Sequence, residues 1–179
     1  MNFKTRSAIK ALNNGGVISI PTDTIQGLSC LPRFESAMQR LVDIKQRSDA
    51  KGLILLASDL IYIARYVADE SMLIQLAKQT DKPTTYLVKA SHQAPKLLLG
   101  GHDTIAIRLT KHPLIANLCT QTKSALVSSS ANISGSREAK TLLDLRIYFK
   151  DELDYIIAPS NALNSPSSII NLHTGEKLR

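Results

Sequence analysis

The stretch "ALVSSSANISGSREAKTLLDLRIYFK" (125–150) holds a strand, a loop and a helix in immediate succession. Ala125, Leu126 and Val127 read as a short buried strand, and 137–150 reads as a helix. Between them "SSSANISG" (128–135) offers hydroxyls, an amide and a glycine free to bend into the helix. A strand that feeds a helix is the unit of a layered α/β chain. It also presents backbone N–H groups where an anion is favoured, although a serine-rich helix cap needs no ligand at all.

The same alternation continues outward. Upstream, "TIAIRL" (104–109) sends Ile105, Ile107 and Leu109 to one face and Ala106 and Arg108 to the other. Pro113 opens a helix over 113–121. "TTYLV" (84–88), "LILLA" (53–57) and "VISI" (17–20) read as strands, the last stopped by Pro21. Helices are predicted over 5–13, 33–47, from an Asp59 cap through Val67, and over 70–79 behind Asp69. "YIIA" (155–158) and "SIINL" (168–172) are late strands, and two short strands near the C-terminus suggest that some pairing in the sheet is antiparallel. The expectation is an α/β (α+β) chain, one domain over 1–179 with a mixed sheet flanked by helices.

The chain has 179 residues, of which 44% are hydrophobic and 4% aromatic, so aliphatic side chains carry the core. Its 22 Lys+Arg against 15 Asp+Glu leave a net charge of +7, which suits nucleotide or RNA partners. Cys30 and Cys119 match no metal-ligand spacing and read as reduced thiols. No apolar run approaches the roughly 20 residues of a membrane span, and the charged N-terminus is unlike a signal peptide. A cytoplasmic protein without a membrane partner is expected.

Four polar segments could carry chemistry. "PTDTIQGL" (21–28) follows a strand; Thr22, Asp23 and Thr24 offer oxygens, Gly27 a tight bend, and a plain Asx/ST turn explains them equally. "KQRSDAK" (45–51) closes a helix, where cations are favourable in any case. Lys45 and Arg47 do not share a helical face, but a helix ending near Lys45 lets both converge on one ligand. Arg108 stands inside a strand, where a guanidinium needs a carboxylate, a phosphate or solvent. "SSSANISG" is the fourth. No Walker phosphate loop, zinc spacing or G-x-S-x-G elbow is present, and no loop clusters carboxylates. The residues alone describe an anion- or nucleotide-binding α/β protein working with Lys, Arg, Ser, Thr and Asn.

In this order "IPTDTIQGL", "LVDIKQRSDAKGLIL", "IAIRLTKHPL", "SSSANISG" and "SPSSIINLHTGEKLR" resemble the YrdC-like family of threonylcarbamoyl-AMP synthases, in its short bacterial TsaC-type form. The resemblance runs from residue 20 to the C-terminus. It implies a twisted α/β sheet around a concave basic cavity. It implies a nucleotidyl transfer in which L-threonine, bicarbonate (or carbon dioxide) and ATP give threonylcarbamoyl-AMP and pyrophosphate. The product serves threonylcarbamoyladenosine modification of tRNA beside the anticodon. The family's K-x-R and S-x-N signatures fall on Lys45, Arg47, Ser130 and Asn132, the implied catalytic and ATP-binding residues, joined by Arg179 at the nucleotide. Thr22, Thr24, Arg108, Ser128 and Ser167 are the implied threonine-binding residues, while Ser129 and Ser134 are expected to shape the turn or to offer backbone N–H groups. Mg2+ is expected to be held mainly by the ATP phosphates, with no protein metal site. Other proteins of the tRNA threonylcarbamoylation pathway are implied partners, and tRNA is a candidate. Three positions depart from the family pattern: Gln26 replaces an aromatic, "TDKPTT" (80–85) lacks a tryptophan and glycine, and Glu138 falls near the nucleotide edge. The alternative function is a non-catalytic RNA-binding or ribosome-maturation factor using the same cavity. A generic nucleotide hydrolase ranks last.

Overall fold

Short aliphatic runs make the sheet and amphipathic stretches make the helices that cover it. The computed structural model describes residues 3–78, 82–159 and 165–179. Its elements are α1 (Phe3–Asn13), β1 (Ile18–Pro21), β2 (Gln26–Cys30), α2 (Glu35–Ile44), β3 (Ile54–Ala57), α3 (Glu70–Ala77), β4 (Thr84–Lys89), α4 (Lys96–Leu99), β5 (Thr104–Leu109), α5 (Pro113–Thr122), β6 (Leu126–Ser130), α6 (Leu142–Phe149), β7 (Tyr155–Ile156) and β8 (Ser168–Asn171). The strands form one sheet in the order β7-β1-β2-β6-β3-β5-β4-β8. It is mixed, as expected: β3 and β5 run parallel, while β1–β2, β2–β6, β3–β6 and β4–β5 are antiparallel.

Some pairing is antiparallel, as expected, although the late strands do not supply it. β7 pairs with β1 and β8 with β4, both in parallel. β7 follows α6, and a helical crossover returns the chain in a parallel sense.

Alternation along the strands sorts the core into two layers. Ile18, Ile20, Leu56 and Leu126 point to one face and pack under Ala8 and Leu12 of α1 and Ile115 and Leu118 of α5. Leu55, Val88, Ile105, Ile107 and Val127 point to the other, against Met38, Leu41 and Val42 of α2 and Leu145 and Phe149 of α6. A buried leucine or isoleucine contributes about 1.5–3 kcal/mol. α1 lies on β1 and β7, and α5 lies on β3. Two helices cannot cover eight strands. On that face Ile54 of β3, Leu87 of β4, Ala106 of β5 and Ile169 of β8 line a cavity instead.

Several boundaries differ from the sequence reading. Residues 26–30, expected as loop, are β2, because hydrogen bonding to β1 and β6 on either side outweighs the weak strand propensity of Gln, Gly and Ser. Gly27 therefore makes no bend; a Cβ there would lie 3.3 Å from Ser128 Oγ on β6. β6 extends through Ser128 and Ser129 to Ser130, held between β2 and β3. α2 stops at Ile44, since Gln46 adopts a φ of 50°. α6 starts at Leu142, where Thr141 and Asp144 form a reciprocal capping box. Asp59 caps as expected, but onto two 3-10 turns, Leu60–Tyr62 and Ala64–Tyr66. Asp69 caps α3 through Ser71 N; residues 79–81, which include the end of the predicted helix and part of the 80–85 segment, lie outside the described residues. α4 was not anticipated. Among the described residues no helix is long and apolar enough to cross a membrane.

Candidate functional site

The cavity has a volume of about 540 Å³. Its floor is the sheet face that α1 and α5 leave bare. The turn between β1 and β2 forms one wall. Thr22 Oγ1 donates to Ile25 O (2.7 Å) and accepts from Thr24 N (3.2 Å), so the ST turn expected here is present. That turn also joins the cavity. Thr22 has spent its proton, so the Thr24 hydroxyl donates to Thr22 Oγ1 (3.0 Å) and accepts from Arg108 Nη1 (2.9 Å). Arg108, 4% exposed, meets Asp23 through Nη2 at 3.4 Å. Its Nε has no hydrogen-bond partner among the described residues. Burial lowers the Arg108 pKa, Asp23 raises it, and Arg179 lowers it further.

The loop after α2 forms the opposite wall. Arg47 donates through Nη2 to Gly52 O (2.9 Å), through Nε to Lys51 O (3.2 Å) and through Nη1 to Ser129 Oγ (3.3 Å). Ser129, expected to shape the turn or to offer a backbone N–H, thus touches a site side chain through its hydroxyl. Lys45 goes elsewhere. It is 2% exposed, and its ammonium donates to Ser130 O, Asn132 O (2.7 Å) and Asn132 Oδ1 (3.2 Å), while its own carbonyl accepts from Ser134 N (2.8 Å). Ser130 Oγ donates to Asn132 Oδ1 at 2.6 Å. Lys45 and Asn132 therefore stand behind the wall and fasten the S-x-N turn. Burial, then Arg47, push the Lys45 pKa down to about 7, opposed by Glu138. Three acceptors around Nζ favour the ammonium, while burial works against it and wins.

Ser167 Oγ shares a hydrogen bond with Thr85 Oγ1 (2.8 Å), and Ser167 O accepts from Arg179 Nε (3.2 Å) and Nη2 (3.1 Å). Of the residues expected from sequence, Thr22, Thr24, Arg47, Arg108, Ser128, Ser130, Ser167 and Arg179 line one cavity; Lys45 and Asn132 do not reach its surface. The helix N-terminus expected to favour an anion does not serve here. α6 begins seven residues after Gly135, and Lys140 N and Thr141 N are already satisfied by Asp144. The glycine, at φ 82°, bends the turn and not the helix entry. Sequence reasoning missed Thr85, which holds Ser167, and the flank of Leu98, Leu99 and His102, whose signal was only an unassigned "KLLLGGH". Glu138, noted as a departure, is the one acidic lining residue among those described. Among the described residues no three His, Cys, Asp or Glu gather as a metal cage.

Such a cavity can hold a polyanion and a carboxylate side by side. The family model Sua5_yciO_yrdC, described as telomere recombination, matches residues 10–179. The threonylcarbamoyl-AMP synthase of Nitrosococcus oceani is 38% identical over 181 residues, covering 99% of this chain and 98% of its own. That of Actinobacillus succinogenes is 38% identical over 183 residues, covering 100% and 99%. Among solved structures, E. coli YciO superposes with a TM-score of 0.81 at 25% identity, covering 93% of this chain and 82% of its own. P. abyssi Sua5 complexed with L-threonine gives a TM-score of 0.86 at 23% identity, covering 97% and 52%, a likeness of fold.

Proposed function

The chain belongs to the Sua5/YciO/YrdC family, and from that premise we infer that it is an enzyme making threonylcarbamoyl-AMP for tRNA modification. In the proposed reaction the amine of L-threonine takes up carbon dioxide from bicarbonate. The resulting carbamate oxygen attacks the α-phosphate of ATP and pyrophosphate leaves. Anion meets anion, so catalysis is positioning and charge neutralisation, with no protein nucleophile. Arg47 and Arg179 meet the triphosphate from the cavity wall. Ser130 offers its oxygen to phosphate or ribose, while Lys45 adds positive charge from behind through the turn it fastens with Asn132.

Arg108 takes the threonine carboxylate, using the Nε–H left over from Thr24 and Asp23. Thr22, Thr24, Ser128 and Ser167 surround the amino acid. Mg2+ would be carried mainly by the ATP phosphates and would lower the charge facing the attacking carbamate. The observation that carries this reading is a single cavity. It joins Thr24, Arg47, Arg108, Ser130 and Arg179, residues far apart in the chain. The test is pyrophosphate release from ATP, with the product detected by mass. Release must require both threonine and bicarbonate; ATP turnover indifferent to threonine overturns the assignment.

A further inference from the structure

We propose that Gly100 is a positioning residue for Arg47, acting through the backbone of Lys51 and Gly52. α4 ends in Gly100 (φ 60°) and Gly101 (φ 83°), both left-handed. The two differ in what lies against them. A Cβ on Gly100 would stand 2.0 Å from Gly52 N, 2.6 Å from Gly52 Cα and 2.7 Å from Ala50 O; one on Gly101 would meet nothing within 4 Å. The contact is reciprocal, for a Cβ on Gly52 would lie 2.5 Å from Leu98 O. All these atoms are backbone, so no side chain can rotate away. Two main chains touch here because neither carries a side chain.

The segment pressed against Gly100 is the one that aims Arg47. Gly52 O and Lys51 O accept from Nη2 and Nε at 2.9 and 3.2 Å, fixing two sides of the guanidinium. Leu98 and Leu99, in the turn before Gly100, line the same cavity as Arg47. The α4 turn therefore forms the apolar flank and seats the arginine of the facing wall. A methyl group at 100 must drive the Gly52 segment away by on the order of 1 Å, a displacement that costs about 100-fold when it misplaces a group acting on the reacting atoms.

The inference rests on the reading of Arg47 as a triphosphate contact. The experiment is steady-state threonine-dependent pyrophosphate release by wild type, Gly100→Ala, Gly101→Ala, Arg47→Ala and the double variant Arg47→Ala/Gly100→Ala. Gly100→Ala is expected to lose about 100-fold in kcat/KM for ATP with KM for threonine unchanged. Gly101→Ala carries similar left-handed strain without the clash and is expected to stay within about 3-fold of wild type. In the Arg47→Ala background, Gly100→Ala should cost less than about 3-fold, since its target is gone. Equal losses in both backgrounds, or equal losses from the two glycine variants, overturn the proposal. Wild-type turnover by Arg47→Ala instead overturns the reading of Arg47. Should Gly100→Ala fail to fold, Gly52→Ala disturbs the same segment without positive-φ strain and must show the same ATP-specific loss.

Discussion

Lys45 was legible in the sequence as half of a K-x-R pair, but its direction was not. That depends on Gln46 at φ 50°, which turns the chain so that Arg47 faces the cavity and Lys45 faces the S-x-N turn. With its pKa pushed down to about 7, against about 10.5 in an unfolded chain, Lys45 makes stability depend on pH. Between those values the unfolded state holds a proton that the folded state lacks. Stability from this group therefore rises as pH rises through that window, by up to about 1.4 kcal/mol per unit. Urea unfolding of wild type and Lys45→Met from pH 6 to 10 should show wild type gaining on the variant as pH rises. Parallel curves would refute it. A bound triphosphate favours the ammonium, so ATP binding near pH 7.5 should take up a proton; calorimetry in buffers of different ionisation enthalpy reads that uptake directly.

Elements whose ends are set by local chemistry were the readable ones. Asp59 and Asp69 accept the N–H two residues on, as their positions before helical stretches indicated. β2 and the serine half of β6 were missed because nothing in Gln-Gly-Leu-Ser-Cys or Ser-Ser-Ser demands extended backbone; each is a strand because it lies between two others. The start of α6 lay between these cases. Thr141 and Asp144 spell a capping box, yet a helix over 137–150 was the expectation, as good helix formers precede the cap. Thr141→Ala should cost about 1 kcal/mol by urea unfolding, within the usual range for a lost N-cap. Its kcat should be unchanged, since this cap satisfies only its own helix.

At the scale of the molecule, fold class and motif order were legible, but the strand order was not, and the strand order makes the site. β5 carries Arg108 to the floor beside β3, while the β1–β2 turn brings Asp23 and Thr24 over it. One guanidinium therefore pins a turn from one half of the sheet to a strand in the other, with Nε left to bind. Lysine in its place keeps the charge but cannot serve Thr24, Asp23 and a carboxylate in fixed directions. A ligand that binds only the folded state stabilises it, by about 2.7 kcal/mol at one hundred times its Kd. L-Threonine at saturating concentration should therefore raise the melting temperature of the wild-type protein by several degrees. Arg108→Lys should lose most of that rise at the same threonine concentration, while ATP, which the proposed reading gives to Arg47 and Arg179, should still protect it. Undiminished protection of Arg108→Lys by threonine would show that the amino acid is held by other residues of the cavity. Loss of protection by both substrates would show that Arg108 acts by holding the two halves of the sheet together.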